Sequence, residues 1–207
     1  MKHLHPQAGI AIGPILFMLA ILGIIASVMS SGGSGSFSTA GISDRVTTHI
    51  VSQANLIRSK IEECRLQYEI KGTNFSSEPC IGDTYPCADE MEGTAVAALT
   101  CPNDPLDVDG GEKSLWSGIR VAALPPPTSG FSPWMYFNGG DEQGRCIWTA
   151  PEKGNVDEGA KQGLLRAASK FTSQEIAYMP DSSTQKFVLY ITRPNDMENL
   201  ADLCRVP

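Results

Sequence analysis

The chain has 207 residues, 42% of them hydrophobic and 19% charged, and carries a formal net charge of −7. That length allows one ordinary domain with a real core beyond a terminal segment, and not two. An acidic balance with no cluster of Lys and Arg excludes a phosphate-binding face for nucleic acid and reads as a solvated exterior.

The first segment, residues 1–9, is a short leader ending in Gly9 whose only formal charge is Lys2. From Ile10 to Met29 the chain is almost wholly apolar, and no charged residue lies between Lys2 and Asp44. At about 1.5 Å per helical residue such a run reaches roughly 30 Å, the thickness of a bilayer's hydrocarbon core. A transmembrane anchor over 10–29 is therefore expected. A removable signal cleaved near Val28-Met29-Ser30 is the alternative, although the run exceeds the usual apolar region of a signal peptide. Gly9, Gly13, Ala20, Gly23 and Ala26 are small enough to let such helices approach closely.

Residues 30–41, Ser30 to Gly41, read as a Gly/Ser hinge. Residues 42–207 form the expected globular domain. Its first element is a helix in which Ile42, Val46, Ile50, Ala54, Ile57, Ile61, Cys64 and Tyr68 recur at intervals of three and four. Thr39 or Ser43 is positioned to cap it, Gly72 to stop it, and Arg45, Gln53, Arg58, Lys60 and Glu63 to face water. Asn74 to Gly111 is rich in Gly, Pro, Asp and Cys and reads as a cross-linked loop, with only Thr94 to Thr100 suited to burial. Asn74-Phe-Ser76 matches a glycosylation pattern that is short enough to arise by chance.

Strand-like runs follow at Ser117–Leu124, Trp134–Asn138, Cys146–Thr149, Glu175–Met179 and Lys186–Thr192, with Gly139–Gly144 as a hairpin loop. A helix over Asp157–Phe171 would place Ala160, Leu164, Leu165, Ala168 and Phe171 on one face, and a short one would run from Asn195 to Leu203. The fold class expected is α+β: a long N-terminal helix, partly transmembrane, packed on an antiparallel sheet.

Six cysteines, Cys64, Cys80, Cys87, Cys101, Cys146 and Cys204, lie beyond the apolar run. An even count without any Cys-x-x-Cys pair reads as disulfides formed in an oxidising space rather than as a zinc site. We expect the first four to pair among themselves and Cys146 to bond Cys204.

Gly9, the apolar run Ile10 to Met29, the amphipathic helix Ile42 to Tyr68 and the cysteine-bearing sheet region together resemble the type IV pilin and pseudopilin family. Precursors of that family are cut after the glycine and methylated on the new first residue, so the resemblance implies processing at Gly9 and Ile10 by a prepilin peptidase. It also implies a pilin-like fold, assembly machinery, and copies of itself or related pilins as partners. Pro14 stands where the family has a glutamate at the fifth mature position, which marks an atypical subunit.

No enzymatic motif emerges. Beyond the leader the only histidine is His49, and no nucleophile elbow, phosphate loop or dinucleotide fingerprint occurs. Asp104, Asp107, Asp109 and Glu112 crowd one loop and are weak candidates for calcium, lacking the closing glutamate of a full site. Trp116, Trp134, Tyr136, Phe137 and Trp148 suit cross-strand packing before a binding surface.

The function expected is therefore that of a non-enzymatic, cofactor-free structural subunit. It would sit in the inner membrane with its domain in the periplasm and then polymerise through its apolar helix into an extracellular adhesive, motility or secretion filament. The alternative is a single-pass anchored periplasmic binding or scaffold protein that does not polymerise.

Overall fold

The computed structural model describes residues 34–69, 84–88, 92–101, 114–116, 123–152 and 157–206. Helix α1 (Ser34–Glu69) is followed by β1 (Thr94–Ala95), a 3-10 turn (Val96–Ala98), β2 (Met135–Asn138), the single-turn helix α2 (Gly140–Gln143), β3 (Arg145–Thr149), helix α3 (Glu158–Ala168), β4 (Ile176–Tyr178) and β5 (Phe187–Thr192). Two 3-10 turns, Met197–Asn199 and Asp202–Cys204, close the described chain. The sheet has the order β1-β2-β3-β5-β4, and every neighbouring pair is antiparallel.

Strand alternation sends Tyr136, Ile147, Phe187 and Leu189 to one face of the sheet, where α1 and α3 cover them. Phe137, Cys146, Val188 and Tyr190 point to the other face, under Leu200 and Cys204 of the C-terminal turns. The α1 stripe drives the first of these layers. Val46, Ile50, Ala54, Ile57, Ile61 and Cys64 are all buried, as a period of three to four demands of a helix lying on a sheet.

Several expectations need correction. The expected transmembrane helix is not found: among the described residues no helix is long and apolar enough to cross a membrane. The long helix among the described residues, α1, carries Asp44, Arg45, Arg58, Lys60, Glu62, Glu63 and Arg65, and buries a single stripe against protein. The run Ile10 to Met29 that prompted the expectation lies outside the described residues, as does Gly9. What stands is an α+β domain with a long N-terminal helix and a five-stranded antiparallel sheet, with no membrane-spanning helix of the kind the pilin-like fold required among the described residues.

Helix α1 also starts at Ser34 rather than Ile42, so Thr39 and Ser43 lie inside it instead of capping it. Its early turns are held by α3. A β-carbon on Gly159 would meet Ile42 Cβ and Thr39 O, each at 3.0 Å, and one on Gly163 would meet Val46 Cβ at 2.7 Å. Thr47 Oγ1 donates to Gly163 O at 3.0 Å across the same crossing. Gln53, expected in water, is 3% exposed: its Nε2 donates to Pro126 O at 2.7 Å and its Oε1 accepts from Trp134 Nε1 at 2.8 Å.

The expected strand over Ser117–Leu124 falls mostly outside the described residues, and Ala123 and Leu124 are not in a strand. Asn195–Leu203 forms two 3-10 turns instead of one helix. The link Gly139–Gly144 is a hairpin connection containing α2; Gly144, at φ 81°, and Gly140, at φ 67°, adopt the left-handed backbone that favours glycine.

Disulfides tie both faces. Cys64 at the end of α1 bonds Cys101, and Cys146 of β3 bonds Cys204 of the last turn. Cys87 is also disulfide-bonded, and Cys80 lies outside the described residues.

Candidate functional site

Close approach of α3 to α1 leaves a cleft of about 530 Å³ beside the crossing. Ile42, Arg45 and Val46 of α1 form one wall, Thr128 to Phe131 the second, and Pro151, Glu152, Asp157 and Ala160 the third. The volume falls within the range of small-ligand sites, about 300–1,000 Å³.

Each wall is set by local chemistry. Past the β2 and β3 pairing, Phe131 bridges Pro151, Ser132 N–H donates to Ala150 O at 2.7 Å, and Glu152 N–H donates to Gly130 O at 3.0 Å. Gly130, at φ 83°, closes the turn, and Phe131 N–H returns to Thr128 O at 2.9 Å. Asp157 starts α3 as its N-cap, accepting from Gly159 N–H at 3.2 Å. Phe131 and Val46 are buried walls, at 4% and 5% exposure, whereas Ile42 is an exposed large hydrophobe at 38%.

Thr128, Arg45 and Glu152 of the cleft have no side-chain partner among the described residues, whereas Asp157 is engaged at the start of α3. Thr128 is 4% exposed and its Oγ1, shielded from solvent, has no hydrogen-bond partner among the described residues. Leaving a buried hydroxyl unpaired costs on the order of 1–3 kcal/mol. Arg45 and Glu152 are exposed, and neither makes an ion pair among the described residues, with each other or with anything else. Asp44, next to Arg45, is by contrast paired with Arg166 at 2.6 Å.

Groups with shifted acidity lie elsewhere and have structural work. The Thr172 N–H, the Arg58 guanidinium and the Thr172 hydroxyl hold Glu175 down at about 2. Burial pushes Tyr178 up to about 12, raises Tyr190, and pushes the Lys186 ammonium down to about 8. Lys186 Nζ nonetheless donates to Leu203 O and, at 3.1 Å, to Arg205 O, and it sits 4.9 Å over the Trp148 ring. These contacts pin the C-terminal turns to the sheet.

Residues singled out from sequence do not gather into a site. His49 is exposed on α1, away from the cleft. Trp134, Tyr136 and Phe137 are buried core, Trp116 Nε1 donates to Val96 O at 2.6 Å, and Trp148 packs partly buried in the second layer. Asp104, Asp107, Asp109 and Glu112 lie outside the described residues, and among the described ones no cluster of His, Cys, Asp and Glu suits a metal ion. The processing positions Gly9 and Ile10 are likewise outside. Sequence reasoning missed the cleft because Arg45 read as a solvated helix residue and Thr128 as part of a proline-rich connection. Pro125-Pro-Pro127 followed by Thr-Ser-Gly130 was the available signal for a fixed turn there.

No known family model, curated protein or solved structure matches this chain. The expected filament-subunit function, the anchored alternative, and the path from inner membrane to extracellular pilus all rested on a membrane-spanning helix. No such helix exists among the described residues, and these readings fall with it.

Proposed function

We propose that this chain is a non-catalytic binding domain that receives a ligand in the cleft between α1 and the Thr128–Phe131 turn. The observation that carries the reading is the cleft itself, about 530 Å³ between α1, the Thr128–Phe131 turn and the start of α3, with the exposed side chains of Arg45 and Glu152 unpaired among the described residues. Apolar walls from Val46, Phe131 and Ile42, edged by a few charged groups, are the usual make-up of a site that binds small molecules. The disulfides Cys64–Cys101 and Cys146–Cys204 support work in a compartment where such bonds persist.

The test is a thermal-shift screen of small molecules on the wild-type protein and on Ala160→Trp, which fills the cleft from α3. Ligands that raise the wild-type melting temperature and leave the variant unmoved support the reading. Ligands that shift both proteins equally, or a screen without any ligand, overturn it.

A further inference from the structure

The charges around the cleft restrict what it holds. Arg45 and Glu152 line the same cleft, carry opposite charge, and make no ion pair with each other or with other described residues. They belong to separate walls, α1 and the segment after β3. Ile42, Val46 and Phe131 supply apolar lining to the same cleft.

A ligand complementary to this arrangement has a carboxylate at one end, an ammonium at the other and an apolar body between. A guanidinium takes a carboxylate through two parallel N–H donors, and a carboxylate such as Glu152 takes an ammonium. Asp157, at the start of α3, uses its side chain on Gly159 N–H and adds negative charge on the Glu152 side. A purely anionic ligand would meet those two carboxylates, and a purely cationic one would meet Arg45. Only a dipolar ligand satisfies both ends.

Resting on the binding reading above, we infer that the cleft takes an apolar zwitterion, a free amino acid or a short peptide, with its carboxylate on Arg45, its ammonium on Glu152 and its side chain between Ile42, Val46 and Phe131. Leucine, phenylalanine and peptides built from them fit the volume and the wall chemistry.

The experiment titrates the full chain with L-leucine, leucyl-leucine, leucinamide and N-acetyl-leucine, read by calorimetry and by amide shifts at Ile42, Thr128 and Phe131. The zwitterions are expected to bind, and each blocked analogue to bind at least about tenfold more weakly, as loss of one charged hydrogen-bonding end implies. Arg45→Gln should abolish discrimination against leucinamide, and Glu152→Gln discrimination against N-acetyl-leucine; both positions are exposed, so the fold is not at risk. Tighter binding of leucine than of the dipeptide assigns the free amino acid as the source, and the reverse assigns a peptide. Equal binding of blocked and zwitterionic forms, or no binding of either zwitterion, overturns the inference. Should other ligands still shift wild-type protein and spare Ala160→Trp, the binding reading stands without it.

Discussion

Gly163 of α3 lies directly against Val46 of α1, so close that a β-carbon at position 163 would meet Val46 Cβ at 2.7 Å and Ser43 O at 2.9 Å. Two effects compete when alanine replaces it. Alanine favours a helix interior over glycine by about 1 kcal/mol. The added methyl, however, would have to displace both a β-branched side chain fixed to its own helix and a backbone carbonyl, and overpacking of this kind costs roughly 1–3 kcal/mol. The contact should win. We expect Gly163→Ala to lower stability in urea unfolding, and Gly159→Ala, whose contacts begin at 3.0 Å, to lower it less. Stabilisation by Gly163→Ala would show that the helices part freely.

Gln53 joins α1 to two segments at once, accepting from the Trp134 indole at 2.8 Å and donating to Pro126 O at 2.7 Å. Leucine at this position has a similar volume and leaves the buried Trp134 indole N–H without a bond, at about 1–3 kcal/mol, while Pro126 is exposed and its carbonyl can turn to water. Gln53→Leu should therefore be destabilising even though it adds apolar surface to the core. Urea midpoints, with near-ultraviolet dichroism for the Trp134 environment, check this; an unchanged midpoint would mean that water reaches the indole.

The apolar stripe from Val46 to Cys64 and the strands around Tyr136, Ile147 and Leu189 are legible in sequence because period-four and period-two burial leave a direct imprint on residue type. The start of α1 is not, and the face of α3 is so only in part. Hydrophobicity places Ala160, Leu164, Leu165, Ala168 and Phe171 on the α3 contact face; Leu164 is fully buried and Ala160, Ala168 and Phe171 pack against the core, but Gly159, Gly163 and Ala167 are buried as well. Glycine adds nothing to an apolar stripe, yet it is what lets two backbones approach, here at Thr39, Ile42, Ser43 and Val46 of α1. The cleft was illegible for a related reason: Arg45, Thr128 and Glu152 are far apart in the chain and become neighbours only through this crossing and the Phe131–Pro151 bridge.

Glu175 makes stability depend on acid. Its Oε1 accepts from Arg58 Nη1 at 2.6 Å and its Oε2 from both the N–H and hydroxyl of Thr172, each at 2.9 Å, which ties α1 to the turn before β4. These bonds favour the charged carboxylate and lower its pKa from 4.5 to about 2. A depressed carboxylate contributes stability that is fully present above the unfolded value of 4.5 and is lost as pH falls through about 2. The stability gap between wild type and Glu175→Gln should thus be constant near neutrality and narrow below about pH 4.5, as measured by urea midpoints across that range. A gap that holds constant to about pH 2 would place the carboxylate's strength elsewhere.

On the far face of the sheet, the C-terminal turns are held by the Cys146–Cys204 bond, by Lys186 reaching Leu203 O and Arg205 O, and by Leu200 packed with Phe137, Val188 and Tyr190. The disulfide spans a sequence separation of 58 residues, for which the loss of unfolded-chain entropy is about 4 kcal/mol, with typical measured effects of about 2–4 kcal/mol. Paired substitution Cys146→Ser with Cys204→Ser should lower global stability by that order, and it should do so unevenly. Residues 197–206 make few backbone hydrogen bonds to the sheet, and their order depends on side-chain anchoring, so amide exchange there should accelerate more than in β2, β3 or β5. The α1–α3 crossing lies on the opposite face, with its own contacts at Gly163 and Thr47, and should keep its protection at denaturant concentrations where the C-terminal turns have already opened. Uniform acceleration throughout the chain would instead mean that the two faces open as one unit and that the bond stabilises the whole domain rather than its outer layer.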